Sequence, residues 1–333
     1  KEFILYQLSL LSHLDKKTNQ TLSPKVIHDI HNNEISCFSD QQGRKRWVRL
    51  YTWIEGRLWS SVNPQTETLL ESLGKEAALT TKLLHDYDHP LAHRTFDWDI
   101  SQAEWTFQHI ELFDDELKKV VRYYHKRFGE IKSNLADLRK GVIHNDINDN
   151  NIIVSENLKD TFVASIIDYG DAIYTAQINN LAVTLAYAIM KKPDPLRAAI
   201  HIVKGYHKVY PLLEIEIEVL YVLVAMRLVI SLTKSAINKN KESENTYLQI
   251  SEKPALDLIQ KWFRLNESYV TYSFREACEY TAHPLEGEFR QWIQNDSSKL
   301  ASLFPTLEVD KITPVDMSVS STWLGNKHAY NNI

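Results

Sequence analysis

Cysteine is nearly absent: Cys37 and Cys278 are the only 2 in 333 residues, far apart and in no metal-ligand spacing. That excludes a disulfide framework and a cysteine-based zinc site, and makes a reducing, cytoplasmic compartment the default. Glycine is scarce as well. The chain has 9, none arranged as Gly-x-Gly-x-x-Gly or as a Walker array, so it contains no glycine-rich phosphate cradle. Long hydrophobic runs are missing too. The longest, residues 219–232, is interrupted by Arg227 and is too short to cross a bilayer, and no signal peptide precedes it. Nor is there an excess of positive charge. Lys plus Arg number 38 against 43 Asp plus Glu, a net charge of −5, which argues against sequence-independent binding to nucleic acid. What is present, 44% hydrophobic and 24% charged residues, is ample for a sizeable core.

The informative stretch is residues 141–154, followed by residues 162–171. Two short apolar runs bracket the loop His144-Asn145-Asp146-Ile147-Asn148-Asp149-Asn150-Asn151, and a third apolar run ends in Asp168. Strand ends thus deliver Asp146, Asn151 and Asp168 toward one place. Transfer of a γ-phosphoryl group needs a carboxylate to orient or deprotonate the attacking hydroxyl, and hard oxygen ligands to hold magnesium on the phosphates. Asp146 suits the first role, Asn151 and Asp168 the second. His144, Asp146 and Asn151 stand in the His-x-Asp, four residues, Asn register of a kinase-type catalytic loop, and Asp168-Tyr169-Gly170 holds the place of the metal-binding Asp-Phe-Gly. A plain polar turn does not explain why a second carboxylate arrives at the end of the next apolar run. A calcium loop starting at Asp146 fails at Asn151, where glycine is needed, and at Asn157, where a bidentate glutamate belongs.

The pattern His-Asn-Asp-x-Asn-Asp-x-Asn, then Ile-Asp-Tyr-Gly-Asp, then Asn180-Leu181-Ala182 resembles the aminoglycoside phosphotransferase and choline kinase superfamily. Within it the chain is similar to the hydroxylysine-kinase-like domains, some of which are fused to class III aminotransferases. Residues 49–56, 93–99 and 205–207 carry further parts of the resemblance, which covers roughly residues 1–283. The resemblance implies an α+β, protein-kinase-like bilobal fold with an incomplete N-terminal lobe. Residues 1–54 are the remaining part of the small nucleotide-binding lobe, residues 55–283 a large helical lobe, and residues 284–333 a helix and linker toward a peptidase-like or aminotransferase domain. It implies an ATP- and magnesium-dependent kinase acting on the hydroxyl of a small amino alcohol such as hydroxylysine or an ethanolamine-type compound. The alternatives are a homoserine, choline or aminoglycoside kinase, or a catalytically degenerate binding domain. Leu50, Tyr51, Thr52 and Trp53 become the hinge that meets adenine, and Glu55-Gly56 the crossover to the large lobe. Relatives carry aspartate where this chain has Asn180, an amide that still accepts one bond to brace the catalytic loop. His144 orients that loop.

The remaining expectations concern elements and weaker site candidates. Ile4, Leu8, Leu11 and Leu14 recur at helical spacing, and this helix resembles the one that follows the nucleotide lysine in kinase-like folds. Glu2 or Gln7 is then the partner of that lysine, whose strand is missing, so the chain reads as a fragment. Strands are expected over residues 26–29, 34–38 and 47–54, separated by Asn32-Asn33 and by a turn ending in Gly43. Helices are expected over residues 66–84, 112–128, 178–190, 194–210, 214–236 and 289–304, with a helical pair over residues 254–278. Residues 237–252 read as a solvated loop and residues 305–333 as extended. His85, His89 and His93 are four apart, but Pro90 interrupts any helix through them and no further ligand completes a metal set. Asp149 and Asp171 are candidates for a substrate ammonium, with Trp98 stacking on it. Arg227 needs a partner: a substrate carboxylate, the catalytic loop, or a carboxylate in a purely structural ion pair.

Overall fold

The computed structural model describes residues 1–18, 23–241, 252–283 and 285–303. The first helix, α1 (Glu2–Lys17), buries Tyr6, Leu8, Leu10, Leu11 and Leu14 along one stripe, and Lys16 and Lys17 face the carbonyl end of its dipole. Ile4, expected on that stripe, is half-buried. Four short strands follow: β1 (Val26–Ile27), β2 (Ser36–Ser39), β3 (Lys45–Val48) and β4 (Leu50–Tyr51). They form two separate antiparallel pairs, β1 with β4 and β2 with β3. The single strand expected over residues 47–54 is therefore divided at Arg49. There the backbone changes partner from β2 to β1, and the ladder ends on the bond from Thr52 N to Lys25 O at 2.9 Å.

The large lobe is entered through β5 (Arg57–Leu58). Gly56 has φ +149°, and a Cβ there would lie 2.4 Å from Ile153 and 2.5 Å from the Val154 carbonyl, so only glycine fits this crossing. The helix α2 (Glu67–Leu84) starts at Thr66, whose hydroxyl accepts the Leu69 N–H. A long 3-10 stretch, Ile100–Leu112 with a kink at Gln102, precedes α3 (Asp115–Glu130). The expected helix over residues 112–128 thus begins three residues later, where Asp114 caps it. After α4 (Lys132–Asp137) come β6 (Lys140–Ile143), β7 (Ile152–Val154), β8 (Val163–Ile166) and β9 (Ile173–Ala176).

The helical half is α5 (Ile178–Ala188), α6 (Pro195–Val209), α7 (Glu214–Lys241), α8 (Glu252–Phe263), α9 (Glu267–Ala277) and α10 (Glu286–Leu303). α7 runs five residues past its expected end, so residues 237–241 of the anticipated loop are helical; residues 242–251 and 304–333 lie outside the described residues. The main core gathers around α5 and α7, where Leu181, Val183, Leu223 and Val229 are fully buried. α2 and α6 cross at two glycines, with Gly74 against the Ile202 carbonyl and Gly205 against the Glu71 carbonyl. A second cluster joins α1 to Leu84, Val142, Tyr169 and Ala172, which seats α1 directly behind the segment that carries Asp168.

Candidate active site

The sheet register explains why distant residues meet. β6 pairs with β9 so that Ile143 faces Ile173, and β7 pairs with β8 so that Ile152 faces Ile166. The loops 144–151 and 167–172 therefore leave the two antiparallel pairs at the same end, bringing Asp146, Asn151 and Asp168 together. Two residues in the left-handed region shape the turns, Asn145 at φ +65° and Asp168 at φ +62°. Asn and Asp tolerate that region better than other side chains with a Cβ.

His144 is buried and ties the two loops. Its Nδ1 accepts the Asp146 N–H at 3.2 Å, so the proton sits on Nε2, which donates to the Ile167 carbonyl at 3.0 Å. Burial holds its pKa down to about 4, which keeps the ring neutral. The Asn145 N–H donates to Asn180 Oδ1 at 3.3 Å, and Asn180 Nδ2 donates to Thr81 Oγ1 at 2.9 Å. The amide at 180 thus makes the single brace that an acceptor at this position can make.

Asp146 is held on three sides. Asn148 Nδ2 and Asn151 Nδ2 each donate to its Oδ2 at 2.9 Å, and Arg227 Nη2 donates to its Oδ1 at 3.1 Å. Burial pushes its carboxyl upward, and the Arg227 cation acts against that. Asn151 also donates from Nδ2 to the Asp146 carbonyl at 2.9 Å, which commits its nitrogen and leaves its oxygen as the atom that could face a metal. The exposed Asp168 carboxylate accepts the Gly170 N–H at 3.2 Å. One amide oxygen and one carboxylate form a hard-oxygen pair that suits magnesium, which usually takes one or two protein ligands and fills the rest with phosphate oxygens and water.

Beside these groups lies a cleft of about 510 Å³ lined by Gln7, Tyr51, Thr52, Trp53 and Asp168 among others. Leu50 stands outside this lining, its backbone paired with Ile27 and its side chain exposed. Trp53 is 83% exposed. Gln7, held by Arg49, faces the cleft, whereas Glu2 is exposed at the start of α1.

Of the substrate candidates, Asp171 shares the electrostatic field of Asp146, Asp168, Arg94 and Arg227, and burial raises its carboxyl. The Asp149 carboxyl is also raised by burial, but the charge it feels is that of Lys191, and its carbonyl accepts the Ser60 N–H. One face of the Trp98 ring is already taken, because the Arg227 guanidinium lies 4.7 Å from its centre. Two contributors went unread in the sequence: Asn148, whose amide holds Asp146, and Tyr187, whose ring lies 5.4 Å from Arg227. Asn148 sat in plain view inside the loop; Tyr187 had no signal beyond lying near the end of α5.

A cleft lined by residues 51–53, a neutral histidine clamp and a carboxylate–amide–carboxylate trio across two loops are laid out as a kinase-type phosphotransferase would need them. Solved structures with a similar fold include a microcompartment-associated aminopropanol kinase, at TM-score 0.57 and 16% identity over 81% of this chain and 82% of that one. Another is an amicoumacin kinase in complex with AMP-PNP, Ca2+ and Ami, at TM-score 0.55 and 16% identity over 78% of each chain. Residues 3–213 match the sequence profile of the phosphotransferase enzyme family, and the chain belongs to that family. Among curated relatives, hydroxylysine kinase of Mus musculus is 28% identical over 253 residues, 72% of this chain and 67% of that protein. The Bos taurus hydroxylysine kinase is 26% identical over 249 residues, and this chain spans about two thirds of its length, 66%.

Proposed function

We propose that the protein carrying this chain transfers the γ-phosphoryl group of ATP to the hydroxyl of a small amino alcohol, of the hydroxylysine or ethanolamine type. The observation that carries the reading is the Asp146 carboxylate, fixed by three donors at the shared mouth of two loops beside Asn151 and Asp168. Magnesium held by Asn151 Oδ1 and Asp168 would supply charge neutralisation on the nucleotide phosphates. Asp146 accepts the hydrogen bond of the acceptor hydroxyl and then its proton, while neutral His144 keeps the loop in shape without taking part in proton transfer. Asp171 joins Asp146 and Asp168, three carboxylates against the two cations Arg94 and Arg227, and that negative balance is what draws an ammonium group. The hydroxylysine kinase relatives support the acceptor class. The boundary between a small lobe, residues 1–54, and a large lobe, residues 55–283, belongs to the same reading, supported by the crossing at Gly56. So does a cytoplasmic setting, supported by two thiols that form no disulfide. No helix of the described residues is long and apolar enough to cross a membrane.

The test uses the full-length protein and two variants, with hydroxylysine, ethanolamine, homoserine, choline and an aminoglycoside as acceptors. Asp146→Asn is expected to keep nucleotide affinity while single-turnover phosphorylation slows by roughly a hundredfold to ten-thousandfold. Asp168→Asn is expected to weaken magnesium-dependent nucleotide binding and turnover together. A parent protein that phosphorylates no acceptor, or an Asp146→Asn variant at parental rate, sinks the reading.

A further inference from the structure

Arg227 is the most unusual charge in the chain. It is 1% exposed on α7, flanked by the apolar residues 219–226 and 228–230. Burying a guanidinium is costly unless its donors are satisfied. Its Nη1 donates to the Trp98 carbonyl at 2.7 Å and its Nη2 to Asp146 Oδ1 at 3.1 Å, with the Trp98 and Tyr187 rings over its faces at 4.7 and 5.4 Å. The guanidinium is thus held by a carbonyl and two rings while its Nε makes no hydrogen bond, and among the described residues its one carboxylate partner is Asp146.

The distribution of donors over that carboxylate matters. Each carboxylate oxygen has two in-plane lone pairs. Oδ2 spends both, on Asn148 and Asn151 at 2.9 Å each, whereas Oδ1 spends one on Arg227 and keeps the other. The two amides stand on the same loop as Asp146 and move with it, so by themselves they do not fix the carboxylate relative to the rest of the lobe. Arg227 adds that fixed point. We propose that Arg227 is a positioning residue that sets the plane of the Asp146 carboxylate, so that the remaining lone pair of Oδ1 meets the acceptor hydroxyl. The inference rests on the kinase reading above and adds to it which oxygen reacts and what aims it. It also assigns α7, far from the catalytic loop in sequence, a direct part in the geometry of the reaction.

The experiment is a double-mutant cycle on the full-length protein with the best acceptor of the panel. Arg227→Met is expected to lower kcat by about tenfold to a hundredfold, the range that small misplacements of reacting groups cause, with KM for both substrates within about twofold of the parent. In an Asp146→Asn background the same substitution is expected to cost little more, because no proton acceptor is left to aim. Arg227→Lys, which keeps the charge but not the fork, is expected to recover part of kcat, and it carries the test if the Met variant does not fold. Full kcat in the folded Met variant, or in the Lys variant where the Met variant does not fold, overturns the inference. So do equal losses from Arg227→Met in both backgrounds, the mark of a general structural brace. A raised acceptor KM at unchanged kcat also overturns it, in favour of a substrate-carboxylate ligand. A parent inactive toward every acceptor overturns the kinase reading and this inference together, which separates that failure from an active parent indifferent to Arg227.

Discussion

Each ring nitrogen of His144 is spent on the backbone, Nδ1 on the Asp146 N–H and Nε2 on the Ile167 carbonyl. Burial strips water from the charged ring and lowers its pKa from 6.5 to about 4, against the opposing pull of the Asp168 and Asp171 carboxylates. The folded chain therefore refuses a proton that the unfolded chain accepts. Its contribution to stability is complete above pH 6.5 and is lost as pH falls toward about 4, by roughly 3 kcal/mol at most. Glu76 works in the opposite direction. Burial raises its carboxyl to about 7, so the native state binds its proton more tightly, and stability is lost as pH rises from 4.5 toward 7. Both contribute to the parental pH profile, alongside other shifted groups such as Asp99, raised by burial, and His125, lowered by it. Urea unfolding at pH 7.5, 6 and 5 is expected to show a steeper acid loss in the parent than in His144→Gln; parallel profiles would mean that His144 titrates normally.

At the scale of elements, the tightest requirement lies between α2 and α6. A Cβ at Gly74 would lie 2.0 Å from the Ile202 carbonyl oxygen, and one at Gly205 would lie 2.1 Å from the Glu71 carbonyl oxygen. Both obstacles are helix backbone, so neither can swing aside and the helices must part. Since α2 also supplies Thr81, which anchors Asn180 beneath the catalytic loop, parting them loosens the loop as well. Gly74→Ala and Gly205→Ala are each expected to cost on the order of 1–3 kcal/mol or more and to reduce turnover, read by denaturant midpoint and by activity. At Gly129 in α3 an added methyl would meet nothing within 4 Å, so Gly129→Ala serves as the control and is expected to stabilise by about 0.5–1 kcal/mol. A Gly74→Ala variant as stable as this control would show that the crossing is looser than it looks.

Over the whole molecule, order is unevenly supported. α5 and α7 sit in the main core, whereas most residues of β2 and all of β3 are exposed, and that hairpin pairs with no further strand among the described residues. Two-stranded pairs are marginal in water. Exposed Ile30, Phe38, Leu50 and Trp53 add little burial on this side. Native-state hydrogen exchange is expected to run fastest in β2 and β3 and slowest in α5 and α7. Adding magnesium and ATP is expected to slow exchange over residues 51–54 and 167–170, from opposite sides of the cleft. Protection confined to one of these two segments would contradict a nucleotide bridging both.

The sequence by itself grouped Asp146, Asn151 and Asp168 and placed most helices. Asp146 and Asn151 lie between β6 and β7 and Asp168 follows β8, so strand alternation and the loop's carboxylates and amides sufficed to group them. Helix starts at Thr66, Asp114 and Asp194 are local as well, each side chain capping an N–H three residues on. Tertiary structure alone decided the rest. Arg227 finds Asp146 across 81 residues and Trp98 across 129, a choice made by how α7 packs and not by any pattern around it. The break at Arg49, the selection of Gln7 over Glu2 for the cleft, and the approach of Tyr187 to Arg227 have the same cause. Periodicity tells which face of an element is buried; only the packing of that face against its neighbours tells what it meets.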